Sequence, residues 1–240
     1  MDYYNQNRQT PPPYYGGSAV VAQTNNILKK VYVRMFIGLL VSAFCALGVA
    51  SSPGAFQFFV MNQWVYWGMF IAMIIMCVAL PAKLNTMSTS TALGLFILFS
   101  AMMGTSLSAI FVVYNIASIA YTFFITAGVF GAMSCYGYFT KADLSKMGTY
   151  LMMALFGLII ACVVNIFLHS SSLQWVISII GVVIFTGLTA WDTQSIKRMA
   201  QANLEPSLSD KLATLGALNL YLDFINLFLF LLRFFGGGRD

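Results

Sequence analysis

Residues 217–236 read ALNLYLDFINLFLFLLRFFG, twenty positions that carry a single acid, Asp223, and a single base, Arg233. An apolar run of about 20 residues is what an α-helix needs to cross the ~30 Å hydrocarbon core of a bilayer at 1.5 Å per residue. The rest of the chain has the same character. A soluble chain of this length carries about a quarter charged residues, roughly 60, whereas these 240 residues hold 12 Lys and Arg and 7 Asp and Glu. The sequence is 60% hydrophobic and 15% aromatic, with a mean hydropathy of +0.82. That much apolar surface cannot be enclosed in one water-soluble globule, because too little polar surface remains to cover it. Composition therefore excludes a soluble domain, a disordered chain and a disulfide scaffold, and it makes lipid the solvent.

Working outward, the sequence predicts seven such stretches, at about 31–52, 63–81, 90–112, 117–138, 147–168, 173–193 and 213–235. The fold class is thus an all-α integral membrane protein with seven transmembrane helices. Barrel strands are excluded because the runs are continuous, not alternating, and far exceed ~10 residues. The boundary between the third and fourth helices is marked only by Tyr114 and Asn115. Residues 1–25 are rich in Tyr, Gln, Pro and Gly and read as a disordered N-terminal tail, which leaves 26–240 as the seven-helix domain. This tail lacks the charged start and adjoining apolar stretch of a signal peptide, so the first apolar run is expected to stay in the mature protein.

Charge in the short loops sets an expected orientation, since Lys and Arg accumulate on the cytoplasmic side. Lys29 and Lys30, Lys83, Lys141 and Lys146, and Lys197, Arg198 and Lys211 all fall at one side of a seven-helix threading, and the three alternate loops have none. This predicts a cytoplasmic N-terminus. Arg233 and Arg239 carry the opposite bias, which a re-entrant final helix would remove. The net charge of +5 comes from bases scattered between apolar runs, so nucleic acid is not an expected partner and the lipid bilayer is. Cys45, Cys77, Cys135 and Cys162 sit in apolar runs without CxxC spacing and read as small hydrophobes. Lone His169 reads as a surface residue. Ser100, Gly104 and Ser108, and likewise Gly157, Ala161 and Asn165, fall at four-residue steps expected of close helix-packing seams.

Two acids do not belong in lipid. Asp192 lies near the end of the sixth helix, one to two turns before Lys197 and Arg198, and Asp223 lies halfway along the seventh. Insertion of a charge at that depth costs at least ~2.5 kcal/mol, so such residues mark function by default. Consecutive antiparallel helices bring both carboxylates to similar depth. Asn219, Asp223 and Asn226 form one polar stripe, and Thr186, Thr189 and Asp192 a weaker one. Burial and mutual repulsion oppose two ionised carboxylates, so the pair is expected to share one proton. Loss of that proton leaves two anions that part the helices or recruit a cation, and paired carboxylate oxygens suit Ca²⁺. The bland alternative is a satisfied interhelical hydrogen bond. Arg34 is expected either to pair with an interior acid or to snorkel beside Lys29 and Lys30. No HExxH, GxSxG, P-loop or GxGxxG context occurs, which argues against a hydrolase or a nucleotide-driven transporter; no enzyme activity and no cofactor are expected, with Ca²⁺ as the ion transported or bound.

Residues 136–168, the WDTQSIKRM run at 191–199 and LYLDFINLFLFLLRFFG at 220–236 together resemble the Bax inhibitor-1 family, its bacterial branch above all. The resemblance covers about residues 26–236. It implies a seven-helix fold with the last helix central in the bundle, a pH-responsive carboxylate pair matched by Asp192 and Asp223, and a proton-sensitive Ca²⁺ leak across a membrane, the plasma membrane in bacteria. Some family members carry an Arg toward the end of the second helix that latches onto the sixth-helix aspartate, and an acid earlier in that helix. WVYWGMFIAMIIMCVALPAKLN at 64–85 has neither, which leaves Lys83 near the Arg position and Arg34 as candidate latches. The first functional expectation is a cation leak channel. The alternatives are a non-transporting regulator that binds other membrane proteins in quality control or stress survival, and an H⁺-coupled transporter of a small solute.

Overall fold

The computed structural model describes residues 17–84, 86–201 and 205–236. Seven long helices account for most of them: α1 (Gly17–Ser51), α2 (Gln63–Ala82), α3 (Thr89–Leu107), α4 (Ile116–Phe139), α5 (Ser145–Leu168), α6 (Ser171–Gln201) and α7 (Pro206–Phe235). All seven are long and apolar enough to cross a membrane, and there is no β-strand among the described residues.

The starts of these helices follow from local chemistry. Asn62, Ser88 and Asn115 each take a non-helical conformation and accept hydrogen bonds from the first free N–H groups of α2, α3 and α4. Asn115 thereby settles the boundary that the sequence marks so thinly. After Leu107 the third span loosens, continues as the short helix Ile110–Val113, and stops where Tyr114 is extended (φ −114°, ψ 150°). A short helix (Pro53–Phe56) and a wider turn of helix (Gln57–Met61) fill the link from α1 to α2. His169 ends α5 in the left-handed region (φ 48°) and is exposed, as expected of a surface residue.

Two expectations about the ends need correction. The tail read over residues 1–25 is already helical from Gly17, and residues 1–16 lie outside the described residues. The reason is a helical period hidden among polar neighbours: Thr24, Ile27, Leu28 and Val31 stand at i, i+3, i+4 and i+7 and are all buried. At the other end, α7 is one continuous helix that traverses the bundle and does not re-enter. Its start meets α1 through Asp210, and its last turn meets the start of α6, where Trp175 and Phe234 pack edge to face at 5.9 Å. Arg233 therefore sits at the end opposite the basic loops, with its guanidinium 5.3 Å from the Phe230 ring. Arg239 lies outside the described residues.

Burial ranks the helices. In α7, 72% of the most apolar 18-residue window is buried against its neighbours, compared with 6% in α5. Helices α1, α3, α4 and α6 pack directly on α7, while α2 lies against α3 and α5 against α6. Outward-facing Phe156, Ile160, Val163 and Phe167 make α5 a hydrocarbon-facing rod. That orientation corrects one expected seam. A side chain added at Gly157 would meet nothing within 4 Å, so the row does not act as a seam at that position, although Ala161 packs against the core. The other seam is real: Ser100, Gly104 and Ser108 are buried, and Gly104 presses on the backbone of Ser42.

Candidate functional site

Glycines fix where α6 runs. Gly137 of α4 lies against the backbone of Ala190, and Gly148 of α5 against the ring of Trp191, closer in each case than any β-carbon would allow. The two residues before Asp192 are therefore gripped from two sides. Gly181 admits the Phe230 ring toward one end of the α6–α7 contact, and Ile196 lies on Gly216 toward the other, which sets the antiparallel register of the two helices.

The neighbours of Asp223 are equally held. Tyr221 is fully buried, its hydroxyl is 2.7 Å from the Ser42 hydroxyl, and its ring meets Phe96 and Phe99 edge-on at 5.8 and 6.0 Å. Ser42 also donates to the Ser100 carbonyl at 2.7 Å, so α1, α3 and α7 meet at one point. On the α4 side, Phe224 packs on Phe123 and Phe130 at 5.4 and 5.5 Å. With those directions occupied, Asp223 is turned toward α6.

There the carboxyl groups of Asp192 and Asp223 lie side by side, within hydrogen-bonding reach of each other. Asp192 is 9% exposed and Asp223 4%. Two carboxylates offer only acceptors, so a bond between them requires one proton on the pair. The Oδ2 oxygen of Asp223 is buried, and no N–H or O–H of a neighbouring group donates to it. The site is thus sealed but incompletely satisfied, in a place where such groups are normally paired. Among the described residues no group of three or more His, Cys, Asp or Glu gathers anywhere. Ca²⁺ takes roughly 6–8 oxygens, of which two carboxyl groups supply at most four.

The supporting residues divide. Thr189 is fully buried but donates to Phe185 O of its own helix at 2.8 Å, and Asn226 donates to Leu222 O at 2.8 Å. Both are therefore satisfied within their own helices, and Asn219 is half-buried. Tyr32 reaches Thr193, next to Asp192, at 3.3 Å. Neither candidate latch meets the pair. Lys83 closes α2 in an exposed position and enters no ion pair among the described residues. Arg34 does not reach Asp192 or Asp223: beside Lys30 it lies 3.7 Å from the Asp210 carboxylate and donates to the Asp210 carbonyl and, at 2.9 Å, to the Thr214 hydroxyl. Lys30, one turn earlier, holds the Asp210 carboxylate at 2.8 Å. The i, i+4 spacing of Lys30 and Arg34 is the sequence signal for this anchor, and its partner, Asp210, belongs to α7 and not to a loop.

The WDTQSIKRM run also does more than set orientation. Gln194 accepts from the Leu144 amide at 2.9 Å and donates to the Ala142 carbonyl at 2.8 Å. Lys197 donates to Tyr138 O at 2.6 Å, and Arg198 donates to Asp143 and to Ser145 Oγ, each at 2.6 Å. These bonds clasp the α4–α5 loop to the end of α6. The Arg198 guanidinium, helped by the backbone and hydroxyl of Ser145, holds the exposed Asp143 carboxyl well below the usual carboxylate range.

The family described as inhibitor of apoptosis-promoting Bax1 matches residues 24–240. The inner membrane protein YbhL of Escherichia coli K12 is 47% identical over 214 residues, covering 88% of this chain and 92% of that protein. A protein of Borreliella burgdorferi is 46% identical over 217 residues (90% and 94%), and one of Caulobacter vibrioides 37% over 219 residues (88% of each).

Proposed function

The chain belongs to the family of inhibitors of apoptosis-promoting Bax1, and from that premise we propose that it is a pH-sensitive cation leak channel, with Ca²⁺ as the conducted ion, gated by the proton shared between Asp192 and Asp223. The likeness to an inner membrane protein supports a place in the bacterial plasma membrane, and the basic loops support a cytoplasmic N-terminus. One observation carries the reading: two buried carboxyl groups stand side by side on adjacent helices.

The mechanism follows from that pairing. While the proton is present it draws α6 and α7 together. Once it leaves, two like charges stand side by side, and a pair at ~4 Å repels by about 4 kcal/mol at an effective dielectric constant near 20. Two sets of ties flank this contact, bridged by Phe224, which packs on α4, and by Tyr32 on Thr193. Helices α1, α3 and α7 are tied by Tyr221, Ser42 and Asp210, and α4, α5 and α6 by the glycine contacts and the Gln194 clasp. Repulsion parts α6 from α7 along their seam, and the ionised oxygens, completed by water, then offer a hard divalent cation the ligands it prefers.

The sign is definite: leak rises as pH rises, because deprotonation opens the seam. Purified protein in liposomes enclosing a Ca²⁺ dye is expected to show that rise. Asp223→Asn, whose amide still donates to Asp192, is expected to hold flux at the low level across the range. Equal flux in protein-free vesicles, or an intact pH dependence in Asp223→Asn, contradicts the reading. Saturable uptake of a small solute driven by a proton gradient would replace it with a transporter.

A further inference from the structure

A groove of about 440 Å³ lies between α1 and α4, with Leu28, Tyr32, Phe130, Gly131, Ser134 and Cys135 on its walls. Both lining stretches fall inside membrane-length spans, Val21–Ser51 and Ile116–Phe139. The groove therefore faces hydrocarbon, and its size is that of a small amphiphile. Two polar features distinguish it from an ordinary lipid-facing furrow. Ser134 on its wall is buried and its hydroxyl has no hydrogen-bond partner in the protein, which is rare for a buried polar group, and a change of χ1 rotamer turns that hydroxyl to a guest. Lys29 stands one turn from both Asn25 and Tyr32 on the groove-facing side of α1. It is exposed and enters no ion pair among the described residues. Tyr138 borders the same end, with its hydroxyl on Asn25 at 2.9 Å and the Lys197 ammonium 4.8 Å from its ring, so the rim is positive.

We propose that this groove binds one acyl chain of an anionic phospholipid, with the Ser134 hydroxyl donating to the ester carbonyl and Lys29 beside the phosphate. The chain matches the apolar walls, the carbonyl satisfies the one unpartnered hydroxyl on them, and the phosphate completes the positive rim. The proposal does not rest on the leak reading. Tyr32 reaches Thr193, and Phe130 packs on Phe224, so the walls touch the residue next to each acid.

The test uses the full chain in nanodiscs of phosphatidylcholine with a minor share of phosphatidylglycerol carrying a diazirine in its acyl tail. After irradiation, adducts mapped by mass spectrometry are expected on residues 25–32 and 130–139, and unlabelled phosphatidylglycerol is expected to compete better than phosphatidylcholine. Lys29→Gln is expected to reduce that advantage about fivefold, the weight of one Lys at an anionic membrane surface. Gly131→Leu adds a side chain where a β-carbon meets nothing within 4 Å, so it is expected to remove the adducts while leaving thermal stability in detergent unchanged. Should Gly131→Leu fail to assemble, Cys135→Phe, at an exposed position on the same wall, must give the same loss. Adducts spread evenly over the outward faces of α2 and α5, adducts unchanged by the filling variants, or equal competition by an uncharged lipid would each overturn the proposal.

Discussion

Gly137→Leu is expected to yield protein that does not survive extraction and heating in detergent under conditions where the wild type stays monodisperse. A β-carbon at residue 137 falls on the carbonyl of Ala190, which is backbone of α6 and cannot rotate away as a side chain can. Overpacking a core ordinarily costs about 1–3 kcal/mol when side chains absorb it. Here α4 must move off α6, and Leu places three further carbons in the same contact, so the loss belongs at or above the top of that range. Size-exclusion profiles after a temperature series provide the measurement. Gly157→Leu is the matched control, because residue 157 faces open space, and it is expected to behave as wild type.

Breaking the acid pair from one side is expected to cost more than removing it altogether. Asp192→Leu leaves Asp223 buried and strips it of the carboxyl group beside it. An orphaned buried polar group costs about 1–3 kcal/mol. Replacing both members by apolar residues removes the orphan, and exchanges of that kind for buried polar pairs are often neutral. The double variant Asp192→Leu, Asp223→Leu is therefore expected to recover most of the thermal stability lost in the single variant while showing no pH-dependent leak. A double variant no more stable than the single one would mean that the pair does not act as a unit.

The seven spans were legible because lipid imposes a length and a composition that no short-range accident reproduces. Asp192 and Asp223 were legible for the converse reason, since acids in such runs stand out. What stayed hidden depends on contacts between distant segments. The small-residue row from Gly157 has the same spacing as the real seam at Gly104, and spacing does not say whether a partner helix faces it. The start of α1 was masked because Gln23, Asn25 and Asn26 dilute a period whose buried positions are Thr24, Ile27, Leu28 and Val31. Arg34 looked like a partner for a deep acid, yet Asp210 lies nearer the end of the bundle that Arg34 occupies. Tyr221, Ser42 and Ser100 lie on three helices, and nothing local to any of them announces that they meet.

The claim that one proton is shared between Asp192 and Asp223 is open to direct spectroscopy. Infrared difference spectra of the protein in lipid, recorded across a pH series, resolve the carbonyl stretch of a protonated carboxyl group. The wild type is expected to show such a band at neutral pH, to lose it over the same pH interval in which Ca²⁺ leak rises, and to lack it when both aspartates are replaced by Asn. A wild-type spectrum without a protonated carboxyl at neutral pH, or a band that persists unchanged while the leak rises, would contradict the account.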